Sequence, residues 1–300
     1  MNPRDIIAKA WAITKKEGQL RRWGYSSALL ETLLNTKLLI YQVWFLISYL
    51  EGNPIGFFAD VEWLSARVST GALVSIVGTF LLLIFIEWIF PHLAMGAIIG
   101  LGAKSYKKEE VKGGLVLALY NFFPIFAVHE MFFLGHLPTI ITLSSLLLRY
   151  AEPMAPFGIF LLLVGFLFTN IFRFFLLFGE EAVVIRKKGI GDALSHSFKL
   201  VISYLGQVVF LLIVGFVISL RIFLNVVMIF LIPGVIIGAG FVFALFLDPL
   251  IAYGIAGILG LIILGFASYL FAYIEVFRQN IWTITYLELS KLKELDIIEA

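Results

Sequence analysis

Chemistry needs polar side chains, and this sequence holds few enough inside its apolar stretches to weigh one by one. His129-Glu130 and His136 combine imidazole and carboxylate, two ligand types that hold zinc. The helical protease motif needs histidines four residues apart on one face with a glutamate between them. His129 and His136 are seven apart with no histidine between, and His92, entering on another segment from the other side, is expected far deeper. The histidines therefore read as interfacial groups bonded to water or headgroups, and no metal site is expected. The chain has no cysteine, which excludes disulfides, thiolate metal sites and a cysteine nucleophile. Neither a Gly-rich phosphate loop nor a Gly-x-Ser-x-Gly nucleophile turn is present. No cofactor and no enzymatic activity are expected.

Four further residues, Glu87, Asn121, Asn170 and Gln207, lie within long apolar runs. Polar groups in hydrocarbon cost free energy unless satisfied, so such residues mark a site or a packing bond. With a rise of about 1.5 Å per residue, Asn121, Asn170 and Gln207 fall roughly one third of the way in from one face. Glu87 is expected near them, with Arg173, Glu180 and Glu181 at the mouth of the cluster. One reading is a cavity for a lipid headgroup, a small solute or a proton, with Glu87 carrying the charge. The other is interhelical hydrogen bonding, worth about 0.6 kcal/mol per bond in a measured membrane case.

The elements that must position these residues follow from composition. The chain is 61% hydrophobic and 14% charged, against about 25% charged in soluble domains, so a soluble fold would lack the polar residues to cover itself. Apolar runs of twenty residues and more indicate transmembrane helices. The formal net charge is only +2, so no strong field draws in nucleic acid. The expected fold is all-α, a polytopic transmembrane helical bundle of six core spans, or seven, with amphipathic interfacial elbow helices.

Three regions form one integral membrane domain: a cytoplasmic amphipathic segment over 1–26, a bundle over 27–275 and an amphipathic tail over 276–300. Asp5–Lys16 reads as an amphipathic helix rather than a cleaved signal peptide. Spans are expected at Leu33–Leu50, at Ala72–Leu101 with a kink at Pro91, and from Gly114 through Pro124. Others are expected at Phe157–Phe178, from the basic elbow to Leu220, and at Leu250–Tyr273, with Leu137–Arg149 interfacial or partly inserted. Six crossings with a cytoplasmic N-terminus leave only Arg67, Arg149 and Arg221 outside. A seventh, through Ile222–Leu247, would add Arg278, Lys291 and Lys293, so that segment reads as re-entrant or interfacial. This places the protein in the cell membrane as a multi-pass chain.

The elbow is Arg186-Lys187-Lys188, followed by Asp192 as N-cap of a helix whose apolar face is Ala193, Leu194, Phe198 and Val201. Its basic residues would contact anionic headgroups of the bilayer. Small residues four apart, Ala252, Ala256 and Gly260 and also Gly234 and Gly238, allow close helix packing, a homo-oligomer or a membrane partner protein. Asp5–Trp11 and Asp192–Phe198 share a pattern of acidic, apolar and aromatic positions, which suggests repeated units of one elbow and one helical hairpin.

The pattern Gly191-Asp192-Ala193-Leu194-x-x-Ser197-Phe198-x-Leu200, set between two spans after a basic turn, resembles a loose group of uncharacterised six-helix membrane proteins. The group includes the membrane domain attached to some glycerophosphodiester phosphodiesterases. The closing stretch Val276-Phe277-Arg278-x-x-Ile281-Trp282-Thr283-x-x-Tyr286-x-x-Leu289 is similar to the end of such domains. The resemblance implies a six-helix membrane module and transfers no catalytic residue. The function expected is binding or moving a lipid or small hydrophobic solute, or alternatively serving as a structural or assembly subunit of a membrane complex.

Overall fold

In a computed structural model the described residues are 3–52, 59–214, 234–235 and 238–299, and they contain helices and no strand. In chain order the helices are α1 (Pro3–Lys16), α2 (Gly18–Leu50), α3 (Ala59–Ser65), α4 (Thr70–Tyr106) and α5 (Gly114–Glu130). They continue with α6 (Leu137–Tyr150), α7 (Ala155–Phe175), α8 (Gly179–Arg186), α9 (Ile190–Ser203), α10 (Leu205–Val214) and α11 (Pro249–Glu299). Single 3₁₀ turns join α5 to α6 and α6 to α7.

Among the described residues, four helices are long and apolar enough to cross a membrane: α2, α4, α7 with its preceding turn, and α11. A fifth crossing arises if α9 and α10, bent by 92° at their junction, count as one broken span. The bundle is therefore a helical membrane protein. The helix expected as a third span, from Gly114 through Pro124, is α5, and Leu137–Arg149, expected as interfacial or partly inserted, falls in α6. At 17 residues, α5 rises only about 26 Å, less than the hydrocarbon thickness of about 30 Å. A 3₁₀ turn at Phe133–Gly135 then separates it from α6. The α6 helix climbs beside α2, where Arg149 meets Tyr41 and Phe45, so it belongs to the bundle. The extra segment Ile222–Leu247 lies mostly outside the described residues.

Burial divides the bundle into two ends. From Val74 to Trp88, α4 exposes apolar side chains around most of its circumference; from Ala94 to Ala103 it is buried. The same change occurs in α11, exposed from Ile251 to Leu270 and buried from Ala272 to Ser290. Exposed apolar runs on this scale demand lipid around them. By contrast, the packed end encloses Ile6, Ala10, Leu20, Ile98, Leu101 and Val276 in one cluster. Residues 278–294, expected as a tail, continue α11 without interruption and form the middle of this packing.

Local chemistry explains several boundaries. Ser69 caps α4, its hydroxyl accepting from the Ala72 N–H at 3.4 Å. Pro91 is accommodated inside α4. Gly96 lets α4 approach α5 so closely that a Cβ there would lie 3.2 Å from the Leu117 carbonyl. Lys187, at a φ of +50°, ends α8 in the left-handed conformation, and the chain turns into α9. Towards the packed end, α2 and α11 run antiparallel: Arg21 bonds Tyr273 while Tyr25 stacks edge-on with Tyr269.

Candidate functional site

A cavity of about 340 Å³ opens between α2, α6 and α11. Along α2 it extends from Ala28 to Gln42, and Leu137 and Ile141 of α6 face Phe271 and Ile274 of α11 across it. Its polar groups are Glu31, Thr32, Asn35, Thr36, Gln42 and Glu275. The walls are otherwise apolar, an arrangement typical of small-molecule sites. Glu275 is held by Arg278, Oε1 to Nη2 2.6 Å. Glu31 stands open to the cavity and makes no hydrogen bond or ion pair among the described residues. The Thr36 hydroxyl is buried without a partner, and Gln42 donates its amide N–H to the Thr142 hydroxyl.

Glu31 and Glu275 belong to a belt of charge lying where the exposed apolar halves of the helices give way to the packed end. Lys37 of α2 reaches Glu87 of α4 at 2.7 Å. His92 Nε2 stands 3.3 Å from Glu130 Oε1, which also accepts from the Trp88 indole at 3.3 Å. His129 Nδ1 lies 3.2 Å from Glu180 Oε1. Arg173, at the last turn of α7, is in electrostatic reach of Glu180, Glu275 and Arg278. His129 reaches Glu31 in the same way, so the belt is continuous from α5 to the cavity.

The belt corrects the expected depth of His92. Its ring centroid is 4.7 Å from that of His129, which is 4.9 Å from that of His136. The reason is the short, antiparallel α5. His92 precedes the end of α4 by fourteen residues, and His129 follows the start of α5 by fifteen, which brings both to one level. Among the described residues, however, no three His, Asp or Glu side chains converge on a point that a metal could occupy.

The four polar residues singled out as one cluster stand apart from one another. Glu87 is buried against Lys37. Asn121 donates to the Leu117 carbonyl of its own helix at 2.8 Å, and Asn170 to Phe166 at 2.9 Å and Gly135 at 3.3 Å. Gln207 lies on α10 with its Oε1 unpartnered. No hydrogen bond joins any two of the four among the described residues.

At the expected mouth, Arg173 and Glu180 join the belt, whereas Glu181 is buried and accepts from the Gln279 amide at 2.8 Å. Burial and the neighbouring Glu180 push the Glu181 carboxyl up to about 8. Burial also works to raise Glu180, but the His129 hydrogen bond and the charges of His129, Arg173 and His92 outweigh it and hold that carboxyl below the ordinary range.

In the elbow, Lys187 lies over the Tyr120 ring at 5.7 Å, and Lys188 donates its N–H back to Ala182 at 3.5 Å, while Arg186 occupies the last turn of α8. Ala252, Ala256 and Gly260 are buried along one face of α11. Gly234 and Gly238 are exposed, with open space where a Cβ would stand.

Sequence reasoning missed Glu31, Lys37, Glu275 and Arg278. Their signal was charge placed next to or within an apolar run, the same signal that exposed Glu87. The chain matches no protein-family model, and neither curated proteins nor solved structures give a match.

Proposed function

We propose that the protein is a non-enzymatic membrane module that binds a lipid or small hydrophobic solute in the cavity between α2, α6 and α11. The observation that carries this reading is the lining itself: a largely apolar chamber of about 340 Å³ with carboxyl groups on its wall. Ligand pockets commonly measure about 300–1,000 Å³, so the chamber suits one small amphipathic molecule or a single acyl chain.

The bilayer surrounds the end where apolar side chains are exposed. At 37 residues, α4 is about 55 Å long, so it can cross a hydrocarbon core of about 30 Å and still project into the packed end. Two contacts support an even number of crossings. Trp11 of α1 meets Phe277 of α11, and Asn280 donates to Thr14 at 2.9 Å, so both ends of the described chain share the packed end. The six-crossing arrangement fits this pairing, with α5 and α6 together forming one broken crossing. Lys104, Lys112, Arg186, Lys187, Lys188 and Lys293 lie on segments of that end, which the positive-inside rule assigns to the cytoplasm of the cell membrane. There the basic elbow would contact anionic headgroups.

Native mass spectrometry of the full chain released from mild detergent, beside Leu39→Trp, tests the cavity. The expected result is a discrete bound mass that is lost when the tryptophan fills the chamber. Identical spectra for the two proteins, both stable and monodisperse, would remove this reading.

A further inference from the structure

The charged groups on the cavity wall are of one sign. Glu31 and Glu275 are carboxyl groups, Thr32, Asn35, Thr36 and Gln42 are neutral, and among the described residues no Lys, Arg or His lines the chamber. Arg278, whose charge reaches Glu31, is engaged by Glu275 at 2.6 Å. That pair is neutral as a unit and leaves Glu31 as the carboxyl group without a direct partner. An anionic head placed here would be repelled by the unpaired Glu31 carboxyl, with no cation on the wall to offset it. A cationic head would meet the reverse.

Resting on the cavity reading above, we propose that the chamber selects an amphipathic amine, a molecule with one ammonium group and one apolar tail or ring system. The ammonium would sit at Glu31, with Glu275 and Thr36 within the same wall. Its apolar part would lie against Leu39, Ile141 and Phe271. A single positive charge matches the single unpaired carboxyl, and a charge-assisted hydrogen bond is roughly twice as strong as a neutral one. The basic elbow and the acidic cavity thus recognise opposite charges: anionic lipid outside, cationic ligand within.

The test compares three probes of equal chain length, decylammonium, decanol and decyl phosphate, on the purified full chain in phosphatidylcholine nanodiscs by calorimetry, with Leu39→Trp as the blocked control. The expected order is decylammonium at least tenfold tighter than decanol, with decyl phosphate weakest. Glu31→Gln should shrink the preference for the amine over the alcohol to within twofold, whereas Glu31→Asp, which keeps the carboxylate, should retain it. Equal binding of alcohol and amine, each abolished by Leu39→Trp, would overturn the amine assignment and leave the cavity reading standing. Tighter binding of the phosphate, or a full amine preference in Glu31→Gln, would also overturn it. Binding by none of the three would overturn both readings.

Discussion

Lys37 and Glu87 meet across α2 and α4, Nζ to Oε1 2.7 Å, with the glutamate almost fully buried and the lysine 30% exposed. Lys37 Nζ also lies over the Phe80 ring, 5.5 Å from its centre. The second glutamate oxygen has no partner. The carboxylate therefore depends on one cation.

Removing that cation strands the carboxylate. Breaking a buried ion pair from one side costs about 3–5 kcal/mol, and the partial exposure of Lys37 places Lys37→Met near the lower limit. Lys37→Met/Glu87→Gln should recover most of the loss, because neither charge remains to be solvated. Thermal unfolding of both variants in the same detergent checks this; equal damage in the single and double variants would show that packing, not charge, links α2 to α4.

Glu181 makes stability fall with rising pH. Its carboxyl moves from an ordinary 4.5 to about 8 in the folded protein, chiefly through burial. Between those values the folded chain holds a proton that the unfolded chain has released, so unfolding becomes easier as pH rises and the loss is complete above about pH 8. Glu181→Gln lacks this titration and keeps an acceptor for Gln279. The melting temperature of the variant should exceed that of the wild type by more at pH 9 than at pH 5. Glu180, held low, loses its contribution only as pH falls below its ordinary value, outside this window.

Close contact between α4 and α5 should tolerate no side chain at Gly96. A Cβ would meet the Leu117 carbonyl at 3.2 Å and Ile125 at 3.1 Å. Gly96→Val is expected to cost about 1–3 kcal/mol as overpacking. Gly78→Ala, in the same helix with nothing within 4 Å, should be neutral or gain up to about 1 kcal/mol from helix propensity. Denaturation midpoints of the two variants separate these effects.

Because the chain has no native cysteine, single replacements report the side of the membrane cleanly. Lys15→Cys and Lys291→Cys should react with an impermeant thiol reagent from one side only, and from the same side. Arg67→Cys should react from the other. Labelling of Lys15→Cys and Lys291→Cys from opposite sides would break the even count of crossings.

Helical membrane architecture was legible in the sequence because long apolar runs have one common solution, a helix in lipid. The elbow was legible in part: a basic turn does lead into a helix, but Gly189 rather than Asp192 stands at the N-cap of α9, and its buried face holds Ser197 and Leu200 beside Ala193 and Val201 while Phe198 is exposed. The site was less so. Depth depends on spans being uniform rods, and they are not: α5 has 17 residues and α4 has 37, running on into the packed end. That is why His92 and His129 are neighbours. Glu31 and Glu275 are separated by most of the chain, and only the antiparallel pairing of α2 and α11 brings them to one cavity. Charge next to an apolar run flagged Glu87 and would equally have flagged Glu31; where such residues meet is a property of packing.

The continuity of α11 sets an order of assembly. Its second half supplies Val276, Ile281, Ile284, Tyr286 and Leu289 to the two main cores, where α1, α4, α8 and α9 close around it. Yet α11 leaves the ribosome after every other described helix. The earlier helices can enter the bilayer one after another, but α1 and α4 must wait with their inner faces open until this helix arrives. Translation that stalls before residue 276 would leave a chain already in the membrane whose membrane-proximal core has no centre, the kind of exposed apolar surface that quality-control factors bind.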